Sequence, residues 1–143
     1  MILRKGRESD LKNVLEIEVM AYKNPYWSQN MIFEVLANKT DKRLWIYEVD
    51  NNVIGFIIDM EHKYEISVLN IAIHKCFQGM GHGLKMLKKY IKSFPGKYSI
   101  YLEVNENNIK AINMYTKLNF ERLSIRKSYY TDGGDAINMQ LIK

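Results

Sequence analysis

The spacing of hydrophobic residues divides the chain into alternating strands and helices. Apolar residues that recur every three or four positions predict helices, and short β-branched or aromatic runs between turn residues predict strands. Four helices are predicted, beginning after Ser9 or Asp10, after Ser28, after the glycines near residue 80, and at Asn107 or Asn108. Strands are predicted at 2–4, 44–49, 53–58, 66–73, 99–104, 123–130 and 136–142.

This order of elements predicts a mixed α/β (α+β) sheet. The turn residues 50–52 separate two β-rich runs, which is typical of a hairpin. The β-α-β unit at 66–104 is expected to be parallel and right-handed. A chain of 143 residues with 47% hydrophobic content fits one domain, which we expect to span 1–143.

Composition argues against several classes of protein. No apolar run approaches the roughly 18 residues of a membrane span, and residues 1–7 lack the apolar centre of a signal peptide. One cysteine, Cys76, excludes an internal disulfide framework, and we expect it to be structural in a protein of the reducing cytoplasm. His62, His74 and His82 lack the spacing of metal ligands, so no metal site is expected.

Charge is distributed unevenly along the chain. The first 70 residues carry 9 Lys and Arg against 11 Asp and Glu, whereas residues 71–143 carry 12 against 5. The basic half could attract nucleic acid, a polyphosphate cofactor or an acidic surface such as a ribonucleoprotein, or could be a solvated surface. Charge alone does not choose among these.

A glycine-rich segment, Gln78-Gly79-Met80-Gly81-His82-Gly83, joins a predicted strand to an amphipathic helix. Glycines let the backbone turn tightly and approach a ligand, and the N-terminus of the following helix suits a pyrophosphate. A Walker loop would need Gly-Lys-Ser/Thr here, and a dinucleotide fingerprint would need wider glycine spacing. The segment predicts a phosphate site of another kind, or a turn without a ligand.

The same segment resembles the acetyl-CoA loop of the GNAT acetyltransferase superfamily, since Gln-x-x-Gly-x-Gly follows a strand that ends at residues 70–73. The resemblance continues through 102–108 and 111–120. The tail at 126–139 and the segment Pro25-Tyr26-Trp27-Ser28 resemble RimI-type protein N-terminal acetyltransferases. Two departures stand out: Asn119 replaces the usual glycine before Phe120, and His82 stands where an aliphatic residue is usual.

The resemblance implies a mostly antiparallel central sheet of about seven strands, splayed where acetyl-CoA enters and flanked by about four helices. It implies that the backbone of Ile71, Ala72 and Ile73 pairs with the pantetheine arm, and that Asn108 contacts the cofactor. It further implies that the pyrophosphate is held by Gly79, Met80, Gly81, His82, Gly83 and Leu84.

Two residues are predicted to carry acetyl transfer. Glu103 lies in an otherwise apolar strand and is the candidate base, although an ion-paired or solvent-facing glutamate would look the same in sequence. Partial burial would raise its pKa and improve it as a base. Tyr115 is the candidate acid for the leaving thiolate, and the alternative is a core tyrosine.

The acceptor is expected to be an amine of a protein. An α-amine with a pKa of ~8 is roughly one-tenth neutral at pH 7, whereas a lysine at ~10.4 is neutral in about one part in 2,500. A modest base therefore suits the α-amine, and the RimI resemblance implies the N-terminal alanine of a small-subunit ribosomal protein. Aromatic residues expected to line the acceptor channel, unless they only pack, are Tyr26, Trp27, Tyr129 and Tyr130.

Two other functions stay open. The first is a GNAT enzyme that acetylates lysine side chains or a small-molecule amine. The second is a non-catalytic RNA- or CoA-binding module, which the absence of an RNP pattern or a GXXG clamp disfavours. We therefore expect no membrane association and no direct role in nucleic-acid binding.

Overall fold

The structure is a computed structural model that describes residues 1–22 and 25–143. Its strands are β1 (Ile2–Lys5), β2 (Lys42–Val49), β3 (Asn52–His62), β4 (Glu65–Ile73), β5 (Ser99–Asn105), β6 (Glu121–Arg126) and β7 (Ala136–Ile142). Its α-helices are α1 (Leu11–Ala21), α2 (Gln29–Leu36), α3 (His82–Lys92) and α4 (Ile109–Lys117). None of the helices described is long and apolar enough to cross a membrane.

The seven strands form one sheet in the order β1-β2-β3-β4-β5-β7-β6. Every neighbouring pair is antiparallel except β4 and β5, which are parallel. The predicted fold class, a mostly antiparallel sheet of seven strands with four helices, is confirmed.

The parallel pair comes apart after a short region of contact. Only Glu65–Ser67 of β4 pair with Ser99–Tyr101 of β5. Beyond this point β4 continues along β3 to Ile73, and β5 continues along β7 to Asn105. A gap therefore opens in the middle of the sheet between residues 68–73 and residues 102–105.

Two hydrophobic clusters cover the two faces of the sheet. One contains Met86 and Leu87 of α3 and Ile112 of α4, and the other contains Val14 of α1 and Ile32 of α2. Neighbouring strand residues belong to opposite clusters, because successive side chains of a strand point to opposite faces. The sheet is thus packed between the α3–α4 pair and the α1–α2 pair.

A buried polar contact fastens α3 to the sheet. Asp59 of β3 is fully buried and accepts hydrogen bonds from Arg43 of β2 at 2.8 and 2.7 Å and from the Tyr90 hydroxyl of α3 at 2.5 Å. A buried carboxylate needs such partners, because an unpaired charge in the interior is very costly. The contact fixes the helix that follows the glycine-rich segment.

Helix ends agree with the sequence at two positions and differ at a third. The Ser28 hydroxyl accepts a hydrogen bond from the Met31 amide at 3.2 Å and caps α2, as predicted. Asn119 has a φ of 71° immediately after α4, the left-handed conformation in which asparagine is the usual substitute for glycine. The Asp10 carboxylate does not cap α1, because it binds Arg4 and the Arg7 amide instead.

One strand end differs clearly from its prediction. The sixth strand ends at Arg126 instead of Tyr130. The strand stops because Ser128 adopts a φ of 49° and its amide donates to Asp135 at 2.8 Å, which turns the chain before β7.

Candidate active site

The edge of β4 that faces the gap carries the backbone groups of Ile71 and Ile73. The His74 amide donates to the Ile54 carbonyl across β3 at 2.7 Å, and residues of an antiparallel strand alternate between the two edges. The backbone N–H and C=O groups of Ile71 and Ile73 therefore point away from β3, and those of Ala72 point toward it. Two side chains donate to the carbonyls on this edge: Tyr22 to Ile71, and Gln78 to Ile73 at 2.9 Å.

The glycine-rich segment forms a sharp turn between β4 and α3. Gly79 and Gly81 have φ values of 79° and 80°, a conformation that other residues rarely adopt. Apart from the adjoining residues, no atom of the described residues lies within 4 Å of the position that a Cβ would occupy at either glycine. The turn thus leaves open space beside its backbone and beside the N-terminus of α3, where helical N–H groups lack partners. Such a cradle fits a pyrophosphate.

Side chains elsewhere in the segment pack against the protein. The His82 ring lies between Tyr47 and Phe77, with ring centroids 6.0 and 6.2 Å apart, and its Nδ1 is 3.5 Å from the Tyr47 hydroxyl. Gly83 lies against Met114 of α4, and a Cβ there would be 3.1 Å from Sδ. Met80 is exposed and Leu84 is half-buried. Backbone groups, more than side chains, are available here for a ligand.

Asn108 caps α4 on the other side of the gap. Its Oδ1 accepts a hydrogen bond from the Ala111 amide at 3.2 Å. This bond occupies the carbonyl oxygen of the side chain and leaves the amide nitrogen for a ligand. The same cap fixes the start of the helix that carries Tyr115.

Tyr115 of α4 is 4% exposed, and its ring packs near Phe120 at a centroid distance of 5.8 Å. The described residues provide no hydrogen-bond partner for its hydroxyl. Burial, and to a smaller degree Tyr130, raises the pKa of Tyr115 and keeps the phenol protonated at physiological pH.

Glu103 lies on β5 opposite Asn138 of β7, beyond the point where β4 and β5 separate. Its side chain is 32% exposed, and Oε2 lies 3.7 Å from Nε of Arg126 on β6. The carboxylate is thus open to solvent and weakly ion-paired. Its burial is less than the base hypothesis assumed, although the gap leaves it accessible to a substrate.

Tyr129 and Tyr130 lie in the turn between β6 and β7. Their rings meet edge to face at a centroid distance of 5.2 Å. Burial and then the charge of Glu103 raise the pKa of Tyr130 to about 12. Tyr130 also raises the pKa of Tyr115, so both Glu103 and Tyr115 lie near Tyr130.

The two aromatic residues before α2 have different environments. Trp27 is 8% exposed and packs in the cluster of α1 and α2, so its indole ring anchors the chain. Tyr26 is 79% exposed and meets the Trp27 ring edge to face at 6.2 Å. Of the two, Tyr26 is the side chain available to a substrate.

Sequence analysis missed two side chains at the end of α1 that reach the gap. Glu18 accepts hydrogen bonds from Asn70 of β4 at 2.8 Å and from the Trp27 amide at 3.3 Å. Burial raises the pKa of Tyr22, and Tyr115 and Glu18 add to the effect. Glu18 lies on α1 and Tyr22 directly follows the helix, and a glutamate on an apolar helical face was the available signal.

No metal centre accompanies this site in the part of the chain that the structure describes. Across residues 1–22 and 25–143, no three His, Cys, Asp or Glu side chains come together as metal ligands would. The site consists of a backbone cradle, an open strand edge, a tyrosine hydroxyl and a carboxylate.

Comparisons with known proteins agree with this arrangement. The Acetyltransferase (GNAT) family profile matches residues 11–120. A ribosomal protein bS18-alanine N-acetyltransferase of Haemophilus influenzae is 37% identical over 133 residues, covering 90% of this chain and 87% of that protein. An N-alpha-acetyltransferase of Sulfurisphaera tokodaii is 27% identical over 154 residues, covering 96% and 90%.

A solved structure of a related enzyme has the same fold. The crystal structure of the ribosomal-protein-S18-alanine N-acetyltransferase from Escherichia coli matches with a TM-score of 0.84 and 28% identity, covering 99% of this chain and 92% of that one. Enzymes of this family use acetyl-CoA as the acetyl donor. The resemblance to the GNAT superfamily is therefore confirmed, and the chain belongs to the acetyltransferase (GNAT) family as an N-acetyltransferase.

Proposed function

We propose that this protein transfers an acetyl group from acetyl-CoA to the N-terminal α-amine of a protein, and that the acceptor is the N-terminal alanine of a small-subunit ribosomal protein in the cytoplasm. The carrying observation is the gap between β4 and β5, around which the strand edge, the glycine cradle, Glu103 and Tyr115 converge. The names of the Haemophilus influenzae and Escherichia coli relatives support this choice of acceptor.

The cofactor is proposed to lie along the open edge of β4. Backbone groups of Ile71 and Ile73 bind the pantetheine arm as an added strand would, with Ala72 between them. The pyrophosphate lies in the cradle of Gly79 to Leu84, and the Asn108 amide contacts the cofactor near α4. Acetyl-CoA supplies a thioester, which is an acetyl group already activated for transfer.

Glu103 and Tyr115 are proposed to move the two protons of the reaction. Glu103 accepts a proton from the amine, directly or through water, as the new N–C bond forms. Tyr115 donates its proton to the sulfur as the C–S bond breaks. The raised pKa of Tyr115 ensures that this proton is present when it is needed. The proton held by Glu103 returns to Tyr115 through solvent, which restores both groups.

The acceptor channel is proposed to run between the β6–β7 turn and the segment before α2. We call residues 25–28 the acceptor loop. Tyr26, Tyr129 and Tyr130 present aromatic surfaces to the first residues of the substrate, while Trp27 anchors the loop in the core. A solvent-accessible carboxylate base suits an α-amine better than a lysine amine, because a far larger fraction of the α-amine is neutral at pH 7.

The experiment follows CoA thiol release with a ribosomal-type peptide that begins with alanine and contains a lysine, and with the same peptide blocked at its α-amine. Wild type is compared with Glu103→Gln and with Glu121→Gln, a matched change on β6. We expect release only with the free α-amine, and a loss of at least about 100-fold in kcat in Glu103→Gln alone. Equal release from the blocked peptide would assign the enzyme to lysine, and full activity of Glu103→Gln would remove this residue from the mechanism.

A further inference from the structure

Glu18 of α1 is a buried carboxylate that the acetyl-transfer chemistry does not use. It is 1% exposed, and it joins three parts of the molecule. Its Oε1 accepts a hydrogen bond at 2.8 Å from Nδ2 of Asn70 on β4, which lies 52 residues further along the chain. Its Oε2 accepts a hydrogen bond at 3.3 Å from the Trp27 amide. One carboxylate thus connects the helix, the cofactor strand and the acceptor loop.

Asn70, one of the two partners of Glu18, lies next to the edge of β4 that faces the gap. Asn70 directly precedes Ile71. The Ile71 carbonyl faces the gap and accepts a hydrogen bond from the hydroxyl of Tyr22, the residue that follows α1. The end of α1 therefore contacts β4 at two consecutive residues, beside the place where the thioester would lie. The acceptor loop is joined to the same place through Trp27.

Burial raises the pKa of the Glu18 carboxyl, and the hydrogen bonds from Asn70 and Trp27 oppose that effect. Placing a carboxylate here is costly, and an apolar residue would fill the volume at lower cost. A glutamate offers what an apolar residue lacks, two acceptor oxygens that hold two donors from separate segments at once.

Strand β4 and the acceptor loop depend on this carboxylate to different degrees. β4 is held by eight residue pairs along β3, so it keeps its position without Glu18. In the described residues, the Trp27 amide provides the one hydrogen bond from the acceptor loop to α1. Loss of Glu18 should therefore loosen the loop and leave the cofactor strand in place.

We propose that Glu18 is a positioning residue that fixes the acceptor loop against β4 and thereby sets the affinity for the acceptor amine without setting that for acetyl-CoA. The inference rests on the proposed function for the identity of the acceptor. The bond between Glu18 and the Trp27 amide does not depend on that identity.

The first test separates the two Michaelis constants in Glu18→Gln, with Glu34→Gln, an exposed position on α2, as control. The introduced glutamine is uncharged and has one acceptor oxygen, so the Trp27 amide loses its charged acceptor even when the Asn70 amide turns to accept from the glutamine. We expect the KM for the alanine peptide to rise about tenfold, the usual effect of one charge-assisted hydrogen bond, and the KM for acetyl-CoA to stay within about twofold. An equal rise in both constants, or no rise, would overturn the proposal.

A double variant guards against a simple folding defect. When Glu18→Gln is combined with Asn70→Asp, the introduced glutamine can donate its amide nitrogen to the introduced carboxylate. Its oxygen meanwhile accepts from the Trp27 amide, and the carboxylate at position 70 restores the charge that Glu18→Gln removes from this contact. We expect the acceptor KM to return to within about threefold of wild type. A double variant no better than Glu18→Gln would refute the positioning role.

Hydrogen exchange of the Trp27 amide separates this inference from the proposed function. We expect faster exchange in Glu18→Gln, recovery in the double variant, and no change in Glu34→Gln. If the wild type does not acetylate the peptide, the proposed acceptor is wrong, and the exchange rates decide on Glu18 alone. Unchanged exchange in Glu18→Gln would then reject the positioning role.

Discussion

Gly83 of α3 lies directly against Met114 of α4, so close that a Cβ on Gly83 would be 3.1 Å from the methionine sulfur. Gly83 belongs to the glycine cradle, and Met114 immediately precedes Tyr115. The cradle and the candidate acid are thus in contact through one glycine and one flexible side chain. An alanine at this position would require the methionine sulfur to shift by a few tenths of an ångström, and a larger residue would require more.

This contact predicts the result of overpacking. Gly83→Leu should lower the free energy of unfolding by about 1–3 kcal/mol and weaken acetyl-CoA binding, because a larger residue pushes α3 away from α4. Urea unfolding and calorimetric titration with acetyl-CoA measure the two effects. Met114→Ala in the same chain should restore part of both, since it removes the sulfur that the leucine meets. A double variant that is less stable than Gly83→Leu would argue against this packing.

Tyr115→Phe tests the candidate acid. We expect kcat to fall about 100-fold, the contribution typical of a general acid, with little change in acetyl-CoA affinity because the ring stays in place. Stability should be preserved, because the lost hydroxyl bonds to no described residue. Tyr101→Phe on β5 is the control, since its hydroxyl accepts from Gln140 at 3.1 Å instead of facing the gap. Full turnover in Tyr115→Phe would exclude the residue as the acid.

Two glycines with the same backbone conformation separate strain from ligand binding. Gly81 in the cradle and Gly96 after α3 have φ values of 80° and 81°, and both have open space where a Cβ would lie. Alanine at either position should cost about 1–2 kcal/mol of stability through left-handed strain. Only Gly81→Ala should also raise the KM for acetyl-CoA, because its methyl group would enter the space proposed for the pyrophosphate. The cradle hypothesis fails if the two variants have equal KM values.

Asp10 predicts how stability depends on pH. The Arg4 guanidinium donates to both of its oxygens, at 2.9 and 2.8 Å, and holds the pKa of the Asp10 carboxyl below its usual 3.8. Since the folded pKa is the lower one, the stabilisation is present above about pH 4 and is lost as the pH falls further. Asp10→Asn should lower stability at pH 7 by about 1–3 kcal/mol and flatten the loss on the acid side.

Urea unfolding between pH 3 and pH 7 measures this dependence. Asp41→Asn is the control, because the Asp41 side chain is exposed and its ion pair with Lys42 is long, at 3.7 Å. An acid limb that is unchanged in Asp10→Asn would show that the Arg4 contact contributes nothing to the pH dependence.

Local signals in the sequence predicted most of the fold. The serine before α2 and the asparagine after α4 marked helix ends correctly, because capping depends on a few adjacent residues. The end of the sixth strand was predicted four residues too late, since the β-rich composition of 126–130 continues into the turn. That turn is set by the Asp135 carboxylate, which receives the Ser128 amide across the hairpin.

The site itself was predicted unevenly for the same reason. The glycine cradle was visible because left-handed backbone requires glycine at fixed positions in one short segment. Burial of Trp27 was not visible, because an aromatic residue in a loop can face either solvent or the core. Glu18 was missed as well, since its partner Asn70 lies 52 residues away.

The sequence by itself determined the order of strands and helices, the glycine-rich turn and the membership of the acetyltransferase family. These follow from periodicity and from backbone conformations that few residues allow, and both are local properties. The tertiary structure alone decided where β4 and β5 separate and which side chains surround the gap. Strand pairing and burial depend on contacts between residues distant along the chain, and their energies are settled only when all elements pack together.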